Sequence, residues 1–320
     1  MRLSNVSKPL LVTGAAGFVG ARFVESCKGN VIAVDDREYF SERPEHKGLD
    51  FGKIVDRKEL LEFLESKPQI KGIVHLGACT DTTEMNKDLL RERNLLSSQM
   101  LWKFAAEAKI PFVYASSAAT YGDGSLGYED DESKLLTLRP LNPYGESKHE
   151  FDRWVISQER GARPKSWAGL KFFNVYGFGE RHKGRMASVA LHAFDQIKET
   201  GRLKLFKSYR EEIADGEQRR DFISVEDVVK VLWFALERPL HRGIFNLGTG
   251  RARSFLDLAH AVFLVLERPV KIDFIDMPPG LASRYQYFTQ SNVAKLRQSG
   301  YREPFLTLEE GIRKYADRLL

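Results

Sequence analysis

Cysteine is scarce in this chain. Cys27 and Cys79 are its two, widely separated, and they can build neither a disulfide framework nor a cysteine-rich metal site, which points to a reducing cytoplasm. Long apolar runs are missing too. The most apolar stretch, Phe255 to Leu266, is broken by Asp257 and His260 and falls short of the ~20 residues that a bilayer needs. Met1 to Pro9 lacks the apolar core of a signal peptide, so a soluble protein without a membrane partner is expected. Nor does one charge dominate: 49 Lys and Arg stand against 44 Asp and Glu, and the resulting +5 is spread along the whole chain, which does not indicate nucleic acid. Neither a fixed-period repeat nor a low-complexity block is visible, and this removes solenoids and fibres. What is present is a globular composition, 42% apolar and 29% charged over 320 residues, sufficient for one large domain or two closely joined lobes.

Short apolar runs alternate with longer amphipathic ones over the first half. Leu10 to Thr13, Val31 to Val34, Gly72 to Leu76 and Phe112 to Ala115 read as buried parallel strands, with helices near Phe18 to Ser26, Arg57 to Glu65 and Leu89 to Glu107. A fifth strand fits Leu170 to Phe173. This alternation specifies an α/β fold, a Rossmann-like doubly wound parallel sheet with right-handed crossovers. Arg219 to Ser224 and Gly243 to Leu247 look like late strands, interrupted by basic, loop-rich segments from Gly177 to Gly216 and from Arg251 to Arg284 that build a second lobe. Ser224, Ser254 and Thr307 each stand three residues before a carboxylate and an apolar helical pattern, as helix N-caps do.

Thr13-Gly14-Ala15-Ala16-Gly17-Phe18-Val19-Gly20 follows the first strand and opens a helix. Absent side chains at Gly14, Gly17 and Gly20 permit a tight turn, close approach of a pyrophosphate to free backbone N–H groups, and helix-to-strand packing. A glycine triplet alone is a tight turn and no more. With the strand before it, the helix after it and Asp35 ending the second strand, it reads as a dinucleotide site. Asp35 and Asp36 could accept from a ribose, favouring NAD, whereas Arg37, Arg43 and Arg57 could receive a 2′-phosphate, favouring NADP. Local sequence leaves the two open. On this basis residues 1–173 and 220–250 form the dinucleotide-binding domain, and residues 174–219 and 251–320 mainly a smaller, interleaved substrate-binding lobe.

Ser116-Ser117-Ala118-Ala119-Thr120-Tyr121-Gly122 ends the fourth strand, and Asn142-Pro143-Tyr144-Gly145-Glu146-Ser147-Lys148 opens a helix on which Tyr144 and Lys148 share a face. A lysine beside a phenol lowers its pKa from about 10, and an oxidised nicotinamide adds a second positive charge. Tyr144 then serves as a base while Ser117 holds the substrate oxygen. Alone, the Tyr/Lys pair would be ordinary helix surface. With Ser117 and the glycine turn it is a catalytic set.

Here the sequence resembles the extended short-chain dehydrogenase/reductases that act on nucleotide sugars. Leu76 to Glu84, Tyr114 to Gly122, Phe173 to Gly177, His182-Lys-Gly-Arg-Met-Ala-Ser-Val189 and Arg284 to Gln290 are similar, more narrowly, to the ADP-glyceromanno-heptose 6-epimerase family, over nearly the whole chain. The resemblance implies epimerisation at C6″ of an ADP-heptose destined for the lipopolysaccharide inner core, a tightly held NADP (NAD being possible), and a cytoplasmic homo-oligomer, a pentamer in its best-known form. It implies Ser117, Tyr144, Lys148 and a second base, Lys183, as catalytic. It implies cofactor contacts from Gly14, Gly17, Phe18, Val19, Gly20, Asp35, Asp36, Arg57, Leu76, Gly77, Ala78, Cys79, Asn94, Tyr144, Lys148 and Val175. Substrate contacts fall to Ser117, Asn174, Lys183, Arg185, His192, Phe206, Arg220 and Tyr285. No metal is expected; His75, His182 and Cys79 match no common metal-site spacing and read as packed or loop residues.

The C6″ hydrogen lies outside the sugar ring and has no adjacent carbonyl, so inversion through a carbanion faces a prohibitive barrier and hydride removal is the feasible route. Each face of the transient ketone then needs a base. On chemistry alone Lys183 could equally bind the ADP phosphates, as Arg181 and Arg185 could; the resemblance favours the second base. Three departures stand out: Arg185 is where the family usually has a small serine that touches substrate, Arg57 is at a cofactor position where a lysine is usual, and Tyr209 to Gln218 looks like an insertion. They leave fold and reaction type intact but bear on fine substrate recognition. The rival readings are a 4-epimerase or 4,6-dehydratase of another nucleotide sugar and a catalytically silent NAD(P)-sensing protein. A dehydratase calls for an acidic pair after the catalytic serine, where this chain has Ala118-Ala119-Thr120, and the intact Ser117, Tyr144 and Lys148 argue against a silent sensor.

Overall fold

The computed structural model describes residues 8–237, 242–280 and 285–320; Met1 to Ser7 and Arg284, which entered the reading above, lie outside them. The chain runs β1 (Leu10–Thr13), α1 (Phe18–Ser26), β2 (Val31–Asp35), α2 (Tyr39–Glu42), β3 (Lys53–Asp56), α3 (Leu60–Glu65), β4 (Gly72–His75), α4 (Lys87–Leu90), α5 (Ser97–Glu107), β5 (Phe112–Ser117), α6 (Pro143–Ser157), β6 (Trp167–Phe172) and β7 (Asn174–Tyr176). It continues through α7 (Val189–Thr200), β8 (Leu203–Phe206), β9 (Arg219–Ser224), α8 (Val225–Glu237), β10 (Arg242–Leu247), β11 (Ala252–Ser254), α9 (Phe255–Val265), β12 (Ile272–Ile275), α10 (Ala294–Gln298) and α11 (Leu308–Leu319).

Seven strands form one parallel sheet in the order β10-β6-β5-β4-β1-β2-β3. Strand order reverses between β1 and β4, and the crevice beyond their carboxyl ends is where such sheets take ligands. The four early strands lie where their apolar runs put them. β3 carries no such run, because it is an edge strand of which only Val55 is buried. Two apolar layers cover the sheet. On one face fully buried Trp102 of α5 meets Phe112, Trp154 and Trp167 edge-on; on the other Phe23 and Val24 of α1 pack with Val228, Val231 and Leu232 of α8.

The smaller lobe has its own core, built from α7, α9, α11, β8 and Phe222. β9 pairs with β7 and β11 instead of joining the large sheet. Its fully buried Asp221 accepts from the backbone N–H groups of Thr249 (2.7 Å), Gly250 (3.0 Å) and Ser291 (3.0 Å), so one carboxylate gathers three separated segments. Ser254 with Asp257 and Thr307 with Glu310 form complete capping boxes on α9 and α11. Ser224 instead receives the Glu226 N–H (3.3 Å), because Asp227 is committed to Lys230 and the Leu306 N–H.

Candidate active site

The glycine turn sits at the β1/β4 reversal. Gly14 has φ +65°, and a Cβ there would stand 2.6 Å from the Gly77 nitrogen and 2.7 Å from the Leu76 carbonyl carbon. A Cβ on Gly20 would stand 1.9 Å from the Gly14 oxygen. The turn is therefore packed backbone on backbone, bringing Gly14, Gly17, Gly20, Leu76 and Gly77 together. No side chain caps α1 and no acidic residue lies in its first turn, which leaves its leading N–H groups and positive end for an anion. These features fit the pyrophosphate of a dinucleotide.

Charge gathers at the end of β2. The buried-side Asp35 carboxylate accepts from the N–H of Ala16 in the glycine turn (3.0 Å) and of Asp36 (3.0 Å), and burial still pushes its pKa up. Asp36 pairs with Arg57 (2.9 Å). Arg43 donates to the Ala16 carbonyl and lies over the Tyr39 ring, 4.2 Å from its centroid. Arg37 instead pairs with Glu59 at the surface. Of the three arginines, Arg43 and Arg57 are the ones that reach the glycine turn and the end of β2.

Asn142 caps α6 by accepting from the Gly145 N–H (2.8 Å), and Pro143 fits the first turn, so Tyr144 and Lys148 both point into the sheet and are buried. The Ser117 hydroxyl draws the pKa of the Tyr144 phenol down, yet burial prevails and pushes it up. The expected lowering by Lys148 is not present in the chain by itself. Lys148 donates to the Ala115 carbonyl (2.9 Å), and burial pushes its own pKa down to about 8. Behind it, fully buried Asp152 accepts from Lys171 (2.9 Å), Ser116 (2.7 Å) and Tyr114 (3.0 Å), locking the end of β5 beside Ser117.

Asn94 lies in a π-helical turn, Arg91–Leu96, joining α4 to α5. Buried, it accepts from the Cys79 N–H (2.8 Å) and donates to the Cys79 carbonyl (3.0 Å) and to the Ser147 hydroxyl (2.9 Å). It thereby fixes the loop of Leu76, Gly77, Ala78 and Cys79 against α6. Such turns often mark functional sites. His75 is structural: Thr13 (2.6 Å) and Ser98 (2.8 Å) bracket its ring, and burial lowers its pKa to about 3.

From the smaller lobe, the turn Arg181–Met186 sets the Lys183 ammonium 5.5 Å from the centroid of the Phe18 ring, at the mouth of the glycine turn, and burial pushes its pKa down. Val19 follows Phe18 on α1. Arg185, a candidate substrate contact, reaches back to Thr83 (2.8 Å) and Asp81 (3.5 Å) and so bridges this turn to the loop after β4. Arg220 is 7% exposed and forms no ion pair among the described residues. Its guanidinium instead lies over the Tyr285 (5.2 Å) and Phe255 (5.5 Å) rings, and Phe206 meets Tyr285 edge-on. The 209–218 segment closes on the same end, with Arg210 over the Tyr287 ring (4.4 Å). Asn174 approaches Thr289 (3.5 Å), Val175 packs against the α1 and α8 layer, and His192 lies half-buried in the first turn of α7. Sequence reasoning missed the buried carboxylates Glu180, Asp152 and Asp221, each of which takes at least one partner from a distant segment.

A doubly wound sheet with a glycine cradle beside Ser117, Tyr144 and Lys148 has the arrangement of a dinucleotide-dependent enzyme. Residues 10–248 match the NAD dependent epimerase/dehydratase family, and the chain belongs to it. Within that family it is 45% identical to the ADP-L-glycero-D-manno-heptose-6-epimerase of Fusobacterium nucleatum, across 97% of this chain and 98% of that protein. It is 43% identical to the protein of the same name from Nitratidesulfovibrio vulgaris, across 97% of each. The crystal structure of the Helicobacter pylori ADP-L-glycero-D-manno-heptose-6-epimerase superposes with a TM-score of 0.82 at 27% identity, covering 100% of this chain and 99% of that one.

Proposed function

We propose that the protein inverts C6″ of ADP-D-glycero-D-manno-heptose to give ADP-L-glycero-D-manno-heptose. The observation that carries this reading is a second candidate base, Lys183, presented from the smaller lobe at the mouth of the glycine turn, beside the Ser117, Tyr144 and Lys148 set of the larger one. An epimerase that presents both faces of a ketone to one cofactor needs such a pair. The bound nicotinamide supplies hydride acceptance from C6″ and its return. Tyr144 exchanges the hydroxyl proton on one face, with Ser117 holding the oxygen, and Lys183 exchanges it on the other. Lys148, one helical turn on from Tyr144, keeps its ammonium on the Ala115 carbonyl and completes the set.

The cofactor in this reading is NADP, with Arg43 and Arg57 meeting the 2′-phosphate while Asp35 stays bonded to the turn. Arg220, with Tyr285 and Phe206, takes the ADP end of the substrate, because a buried guanidinium between aromatic rings suits a diphosphate beside a base. The lobe division drawn from sequence is retained, with residues 174–219 and 251–320 supplying most substrate contacts. A cytoplasmic homo-oligomer, pentameric as in the family it resembles, belongs to the same proposal.

The test is NMR of ADP-D-glycero-D-manno-heptose incubated with the purified protein, alongside UDP-glucose. The 6-epimer is expected from the first and no turnover of the second; the reverse pattern would assign a 4-epimerase. Identifying the nucleotide released on denaturation tests the cofactor: NADP is expected, and NAD alone would return Asp35 and Asp36 to the ribose.

A further inference from the structure

We propose that Glu180 is the positioning residue of Lys183, fixing both ends of the loop that presents the lysine and setting a buried negative charge within that loop. The proposal rests on reading Lys183 as the second base. Glu180 is fully buried, which for a carboxylate is costly unless donors surround it. Here they do. Its Oε1 accepts from the Gly177 N–H (3.3 Å), the Ser188 hydroxyl (2.6 Å) and the Tyr315 hydroxyl of α11 (3.2 Å), and its Oε2 accepts from the Ser188 N–H (2.7 Å). Gly177 precedes the Arg181–Met186 turn and Ser188 follows it, so one side chain clamps the loop at both ends and anchors it to α11. The Glu180 carbonyl then accepts the Lys183 N–H (3.0 Å).

Lys183 is also the cation of this turn that is left for chemistry. Arg181 is held by both oxygens of Asp195 (2.9 Å each), and Arg185 by Thr83 and Asp81. Around the neighbouring His182 stand Arg43, Glu45 and His46, while Lys183 itself faces the Phe18 ring of α1. Burial favours the neutral amine and Glu180 favours the ammonium. A group that must both take and return a proton needs such a balance.

Two variants of the holoenzyme test this, Glu180→Gln and Glu180→Asp. Two readouts are needed: the pH dependence of Lys183 modification by an amine-reactive reagent, followed by mass spectrometry, and the pH profile of kcat for epimerisation. In Glu180→Gln the Lys183 titration should move to lower pH, because the ammonium has lost its counter-charge, and the acid limb of kcat should move with it. The plateau should fall by about tenfold or more as the loop loosens. Glu180→Asp keeps the charge and so should keep the midpoint while the plateau falls, and it carries the test if the Gln variant does not fold. An unmoved Lys183 titration in Glu180→Gln, or a wild-type plateau in Glu180→Asp, would overturn the proposal. A titration that moves while the kcat limb stays still supports the Glu180 assignment and removes Lys183 from the chemistry.

Discussion

Tyr144 bears the heaviest chemical demand of any single residue. Its phenol is buried, pushed up by that burial and drawn down by Ser117. Tyr144→Phe keeps the ring and removes the proton carrier, so turnover should fall by about a hundredfold or more while the bound nucleotide is retained. Near wild-type turnover would remove Tyr144 from the mechanism. The residues of this set were legible in the sequence because their relations are local: Tyr144 and Lys148 are one helical turn apart, and Ser117 closes a strand whose apolar run announces it. Asp221 and Asp152 were not legible, since each is defined by donors far along the chain, such as Ser291 for Asp221 and Ser116 for Asp152. Glu180 was not, since its nearby donors Gly177 and Ser188 form no motif and Tyr315 comes from α11. The phenol's direction of shift was misread for a related reason. Spacing puts Lys148 on the right face of α6 but does not show that its ammonium turns to the Ala115 carbonyl.

Among the elements, the β1-to-α1 turn has little room for change. A Cβ on Gly20 would meet the Gly14 oxygen at 1.9 Å. Gly20→Ala must therefore push α1 away from the turn and spoil the N–H cradle. The expected result is protein that purifies with less than about a tenth of the wild-type nucleotide, because displacement of roughly 1 Å at such a site is felt strongly. Absorbance of the nucleotide released on denaturation measures it; full occupancy would show that the cradle is not the binding site. Elements with their own signal were readable: the apolar strands, and the Ser254 and Thr307 boxes with their spaced carboxylates. β3 was not, because its outward residues hide a single buried valine. The π-helical turn at Asn94 also escaped, because an inserted residue leaves no trace in an amphipathic pattern that continues on both sides.

Over the whole molecule, acid should be a particular weakness. Burial lowers His75 to about 3 and His149 and His182 to about 4, and lowers His46 as well. The unfolded chain takes up these protons near pH 6.5 and the folded chain does not. Their neutral forms therefore support the fold above about pH 6.5, and that support is lost as pH falls from there towards 4. The urea midpoint should drop steadily between pH 7 and 5; a constant midpoint would show that these imidazoles titrate alike in both states. At the same scale lies the central claim, that two lobes close one cradle around a sugar whose C6″ hydrogen leaves and comes back without reaching water. Epimerisation of ADP-D-glycero-D-manno-heptose in deuterium oxide, followed by mass spectrometry of the product, tests it most directly. The account predicts the L-epimer with protium still at C6″; substantial deuterium at that carbon would contradict it.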